Sequence, residues 1–214
     1  NYFQNANASW DSAANWSDGS EPGAADNARV HDGAQSIDGS DQSAALFAYL
    51  FVGQSYTGRI GSAATPLFLP AMTEVGINSL GSRFVSLRFT SCAVLTTENT
   101  YPEAGSFVFA NGTVTDWYIL NGRGNVLGAS ATLSGTCYVA YAQSPGSDTF
   151  LEIESGSTWT GATLNIQCGS VICAATPPTI VVGAGGFLEM KGTVAATVTS
   201  LLVEAGGHVI NNAK

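Results

Sequence analysis

"VVGAGGFLEM" runs from Val181 to Met190, and "LVEAGGHVIN" runs from Leu202 to Asn211. Each holds two apolar residues, two linking residues, Gly-Gly and a further strand-like run, and the copies start 21 residues apart. A strand, a glycine turn and a second strand recurring at about 20 residues is the pattern of a stacked solenoid. Gly-Gly allows backbone angles closed to other residues and so permits a sharp corner. The spacing predicts that Val181 and Leu202 lie one above the other in adjacent coils, about 4.8 Å apart.

Working outward, the chain from Ala44 onward is a series of short apolar runs separated by Gly, Ser, Asn or Pro, such as "LFAYLFVG", "FVSLRFTS", "WYILNGRG" and "TLNIQCG". Their length suits strands, and none carries a helical apolar stripe. "LEIESGSTW" (Leu151–Trp159) reads as an earlier copy of the 21-residue unit, separated from the next by a loop containing Pro177-Pro178. The expected fold is all-β: a single-stranded parallel β-helix over residues 44–214 with under about a tenth helix. The alternative is a β-sandwich or jelly roll, which also has short strands and glycine turns. Residues 1–43 differ, being rich in turn formers, and are expected to form an irregular N-terminal cap or anchor segment. Trp10 and Trp16 would close one end of the core there, and with Asp26 they are the candidate anchoring residues.

The chain is 45% hydrophobic but 11% charged, with 7 Lys and Arg, 16 Asp and Glu and a net charge of −9. An ordinary soluble chain is about 25% charged. No basic footprint for nucleic acid is present. The longest apolar run, Ala44 to Val52, is far short of the ~20 residues a membrane-crossing helix needs, and the N-terminal stretch has no signal-peptide pattern. The acids of the first 41 residues lack EF-hand or nonapeptide spacing, so no metal site is expected. Cys92, Cys137, Cys168 and Cys173 sit in apolar or small-residue stretches without zinc-ligand spacing, and are expected to be buried free thiols.

Catalytic chemistry finds little support. His31 and His208 are the only histidines, and neither falls in a motif. No GxSxG elbow is present, and "NGRGNVLGAS" (Asn121–Ser130) reads as a turn rather than a nucleotide loop. Glu152 and Glu154 form the one carboxylate pair on a strand face, about 7 Å apart. No catalytic residue and no cofactor is expected. Trp117, Tyr118 and Trp159, with Tyr138 and Tyr141, are candidate glycan-facing aromatics. The competing reading places them in the core or at a subunit interface.

"SWDSAANWSDGSEPGAADNARV" (Ser9–Val30) resembles an opening found before many bacterial and phage β-helical proteins, including autotransporter-like segments. The residues carrying the resemblance are Trp10, Asn15, Trp16, Ser17, Gly19, Pro22, Asp26 and Val30. "YTGRIGSAATPLFL" (Tyr56–Leu69) is similar to stretches of phage virion β-helix proteins that decorate heads or form fibres. The resemblance implies a right-handed β-helix and a structural virion role, and it supplies no catalytic residues. Three function classes follow: a capsid decoration, cement or head-fibre protein; a carbohydrate-binding adhesin; and a tailspike-like polysaccharide-degrading enzyme. The first is the expectation. Its partners are a major capsid protein or another virion protein, and copies of itself, since "SGTCYVAYA" and "GTVAATVTSLLV" carry no charge and suit the faces of a homotrimer. Its place is the virion surface after assembly in the host cytoplasm; for the adhesin it is the cell surface or extracellular space.

Overall fold

Alternation along short strands decides which residues build the interior. The structure, a computed structural model, describes residues 2–3, 9–78, 84–100, 106–144, 146–175, 177–192 and 198–213. In chain order the strands are β1 (Asn27–Val30), β2 (Tyr49–Val52), β3 (Arg59–Ile60), β4 (Leu67–Asn78), β5 (Phe84–Glu98) and β6 (Phe107–Ile119). Next come β7 (Asn125–Leu133), β8 (Thr136–Val139), β9 (Phe150–Ile153), β10 (Thr158–Trp159) and β11 (Thr163–Ile166). The last are β12 (Gly169–Cys173), β13 (Thr179–Val182), β14 (Gly186–Gly192), β15 (Ser200–Val203) and β16 (His208–Ala213). Helix among the described residues is one 3-residue 3-10 turn, Ala13–Asn15.

The ladders between these strands are parallel, and the chain is a β-solenoid of about eight turns. Parallel stacking excludes the sandwich and jelly roll, whose neighbours run antiparallel. The first side stacks β1, β2, the last parts of β4, β5 and β6, then β8, β11, β13 and β15. The second side holds the starts of β5, β6 and β7, then β9, β12, β14 and β16. The first half of β4, the middles of β5 and β6 and the end of β7, with β10, make a third side.

On the first side, one inward row reads Ala28, Leu50, Val75, Leu95, Trp117, Cys137, Leu164, Ile180 and Leu201, each residue the register partner of the next. The members from Ala28 to Ile180 are buried, whereas Leu201, in the last coil, is 50% exposed. Each fully buried Leu, Ile or Val contributes about 1.5–3 kcal/mol from removal of apolar surface from water. Around β5 and β6 the interior is filled by Phe89, Phe107, Phe109 and Trp117, with ring centroids 5.5–6.4 Å apart. Thr97 is the polar member of the neighbouring inward row, and the Trp117 indole N–H donates to its hydroxyl at 3.1 Å. That bond removes the cost of an unpartnered buried hydroxyl.

Val181 is the direct parallel partner of Leu202, and the second halves of the two copies pair in the same 21-residue register, Leu188 with Val209. The two glycines of each turn have different jobs. Gly185 and Gly206, the first of each pair, have φ of 83° and 92°. The second has a steric reason: a Cβ on Gly207 would lie 2.9 Å from the Val182 carbonyl oxygen in the coil below. "LEIESGSTW" is not an earlier copy in the same register. Leu151 stacks on Val171, which stacks on Leu188, so the first strand of that stretch belongs to the second side and matches the strand after the turn. Coil length explains the misreading, because it swings from 27 residues (Tyr138 to Asn165) to 16 (Asn165 to Val181).

Stacking begins at Asn27, inside the 1–43 segment. Beneath it Phe3, Trp10, Trp16 and Phe47 form a buried plug. Trp10 and Trp16 meet at 4.8 Å and 72°, and the Trp16 indole donates to the Trp10 carbonyl at 2.9 Å. Tyr2 bridges to Arg29, with Phe3 N–H donating to the Arg29 carbonyl at 2.7 Å, which covers the exposed edge of β1.

Two glycine substitutions separate these constraints. Gly206→Ala puts the new methyl group in ordinary van der Waals contact, nothing nearer than 3.8 Å, and is expected to cost about 1–2 kcal/mol for its positive φ. Gly112→Ala combines a φ of 103° with overlap of the Phe89 carbonyl, and is expected to cost about 3 kcal/mol or more. Urea melts of the two variants check the order.

Candidate functional site

Once the ladders fix what points inward, the other parity of each strand is free for recognition. On the first side that outward row reads Arg29, Phe51, Gly76, Thr96, Tyr118, Tyr138 and Asn165 from coil to coil. Two features stand along it.

The first is a groove of about 440 Å3 with Gly76 in its lining. It exists because a strand position that would carry a side chain carries none, and the Phe51 ring beneath forms the floor. Arg29 and His31 line one end. The Arg29 guanidinium stands 6.0 Å from the Phe51 ring centre and 5.6 Å from that of Tyr2, cation–π distances. Glu74 and Glu98 line the walls. Asn78 donates to Glu98 at 3.5 Å, Asn99 donates to the Asn78 side-chain oxygen at 3.3 Å, and the Asn99 N–H donates to the Asn121 side chain at 2.6 Å. This asparagine stack fixes the wall at the coil corner.

The second feature is a tyrosine cluster. Tyr118 and Tyr138 are register partners, so their rings stack at 4.9 Å and 11°, close to the coil spacing itself. Tyr141 stands beside the pair, 5.0 Å from one ring and 5.3 Å from the other, at steep angles to both. It is 38% exposed. Its turn is strained: Ala140 and Ala142 have φ of 58° and 57°, a region L-residues other than Gly, Asn and Asp rarely enter. Two bonds hold the turn, Tyr141 N–H to the Ile119 carbonyl at 2.9 Å and Ala142 N–H to the Gln167 side chain at 2.8 Å. Loss of water contact pushes the Tyr118 phenol above its ordinary range, and the nearby Asp116 carboxylate adds to the effect.

The residues singled out in the sequence separate cleanly. Trp10 and Trp16 are 1% exposed inside the plug, so a partner at that end would meet the plug's outer surface rather than these rings. Asp26 sits on the turn before β1, accepting from Gly23 N–H at 2.8 Å. Trp117 is not glycan-facing: it is fully buried, because its parity along β6 is the inward one. Trp159 is partly buried and packs against the core. Tyr118, Tyr138 and Tyr141 come together. Glu152 and Glu154 both point outward, but Glu154 already accepts from Ala129 N–H at 2.9 Å. The groove residues Arg29, Phe51, Gly76 and Glu98 were not singled out in the sequence, although a lone glycine inside "TEVGIN" is a known sign of a local gap or close approach. Among the described residues no three metal-ligating side chains converge, and no helix is long and apolar enough to cross a membrane.

No protein family, curated protein or solved structure matches the chain.

The four cysteines are free and buried. Burial pushes the Cys92 thiol up to about 12 and Cys173 to about 11, and raises Cys137 and Cys168 as well. In the unfolded chain these thiols ionise near ~8.5. The stabilisation is therefore complete below that pH and is lost as the pH rises toward 11–12. The unfolding free energy from denaturant melts is expected to be lower at pH 10 than at pH 7, by on the order of 1–2 kcal/mol for each of Cys92, Cys137 and Cys173. A thiol reagent at pH 8 should label the native protein slowly and the denatured chain at all four positions.

Proposed function

We propose that the protein is a non-catalytic structural subunit of a phage virion surface, a rigid solenoid that decorates the particle, stabilises it or extends from it. The observation that carries this reading is the unbroken inward row from Ala28 to Ile180. It makes a stiff rod about 34 Å long at the usual strand spacing. The Ser9–Val30 opening, which resembles that of bacterial and phage β-helical proteins, and the Tyr56–Leu69 stretch, which is similar to virion β-helix proteins, support it as well. The trimer belongs to the same proposal. Part of its motivation is accounted for within one chain, since in "SGTCYVAYA" Cys137 and Val139 are core and Tyr138 and Tyr141 meet Tyr118. In "GTVAATVTSLLV" residues 193–197 lie outside the described residues.

A second reading, a carbohydrate-binding adhesin, is favoured by the tyrosine cluster, which is held on the outer face by a strained turn. Strain of this kind collects at ligand-binding sites. In the pair that the enzyme reading would use, one Glu154 oxygen accepts from Ala129 N–H, and its other acceptor positions stay open.

Immunogold labelling of particles from the native source is expected to place the protein on their exterior; its absence from purified particles would overturn the virion proposal. Native mass spectrometry is expected to give three chains per assembly. Replacing Glu152 and Glu154 together by Gln should leave biological activity intact and shift stability by no more than about 1 kcal/mol.

A further inference from the structure

We propose that the groove at Gly76 and the tyrosine cluster form one track for an uncharged glycan running parallel to the solenoid axis. The proposal rests on the adhesin reading and adds the ligand class and the second half of the site. The two ring stations share one parity column: Phe51 lies three coils below Tyr118, with Gly76 and Thr96 between them. At the usual strand spacing the stations are about 14 Å apart. The interval between them is a trough, because one of its side chains is missing and the other is small. A chain of sugar rings has apolar C–H faces and hydroxyl edges. Phe51 and Tyr141 offer ring surface to the faces, while Asn78 and Glu98 line the groove for hydroxyls.

Charge selects the class. The walls carry the Glu74 and Glu98 carboxylates, with Asp116 beside the tyrosines, and Arg29 stands over two rings at the far end. Among the described residues Arg29 makes no ion pair. Three carboxylates on a chain of net charge −9 oppose a polyanion, so sulfated, uronic-acid and phosphate-bearing polymers are rejected. A hydroxyl-rich neutral polymer meets acceptors without that repulsion.

A glycan array with neutral and acidic glycans, followed by calorimetry on the best neutral ligand, tests the track. Three outer-face variants are compared: Tyr141→Ala, Gly76→Leu and Thr96→Trp. Gly76→Leu requires the Phe51 ring to shift, since a Cβ would stand 2.9 Å from it. Thr96→Trp fills the trough without that contact. Thermal melts identify any variant that fails to fold. Neutral glycans are expected to bind, with affinity about tenfold weaker in Tyr141→Ala and in the trough-filling variants that fold. Loss in Tyr141→Ala with no change on filling the trough would overturn the track and leave the adhesin reading standing. Capture of acidic glycans alone, or of no glycan, would overturn both.

Discussion

Everything in this molecule depends on parallel register between successive coils. When β8 sits on β6 with Cys137 over Trp117 and Val139 over Ile119, each coil completes the core of the one below. No coil has an interior of its own, so stability is shared through nearest-neighbour contacts along the axis. This gives the ends special weight. At the N-terminal end Trp10, Trp16, Phe3 and Phe47 plug the core, and Tyr2–Phe3 pairs with the edge of β1. In the last coil Leu201 and Val203 continue the inward rows yet stand 50% and 42% exposed.

The fold was legible where two coils share a turn. Val181–Met190 and Leu202–Asn211 match because both corners need a positive-φ glycine followed by a residue with no Cβ, and that pair of demands leaves a visible signature. Elsewhere the coil asks only for apolar residues at alternate positions. Leu, Val, Cys, Thr and Trp all satisfy it, so the rows erase sequence similarity while keeping the geometry. Insertions fall at corners, where they do not disturb the ladder, and the 27-residue and 16-residue coils hide the period.

Parity could have gone further at the aromatic positions. In "TDWYIL" Asp116 favours the outward face, which puts Trp117 and Ile119 inside and Tyr118 outside. The structure has that arrangement. Proximity of Tyr118 to Tyr138 was not legible, because it requires the 20-residue register of one particular coil pair. The groove was harder still. It is built by an absence, Gly76, set between Phe51 and Thr96 from other coils, so no single stretch contains all of its lining.

The separation of parities also decides where recognition is able to evolve. An inward substitution disturbs two neighbouring coils at once, whereas an outward one changes only the surface. Outward neighbours come at a fixed step of one coil, so a ligand read by this face meets a side chain about every 4.8 Å along the axis. Phe51, the Gly76 gap, Thr96 and Tyr118 occupy successive steps of that scale. Tyr141 is the exception, since it leaves the strand and reaches the cluster from a turn with αL residues on both sides. The ladder alone would never place a ring there. That position is held by Gln167 of the following coil, through Ala142 N–H, and so the cluster depends on the same coil-to-coil register as the core beneath it.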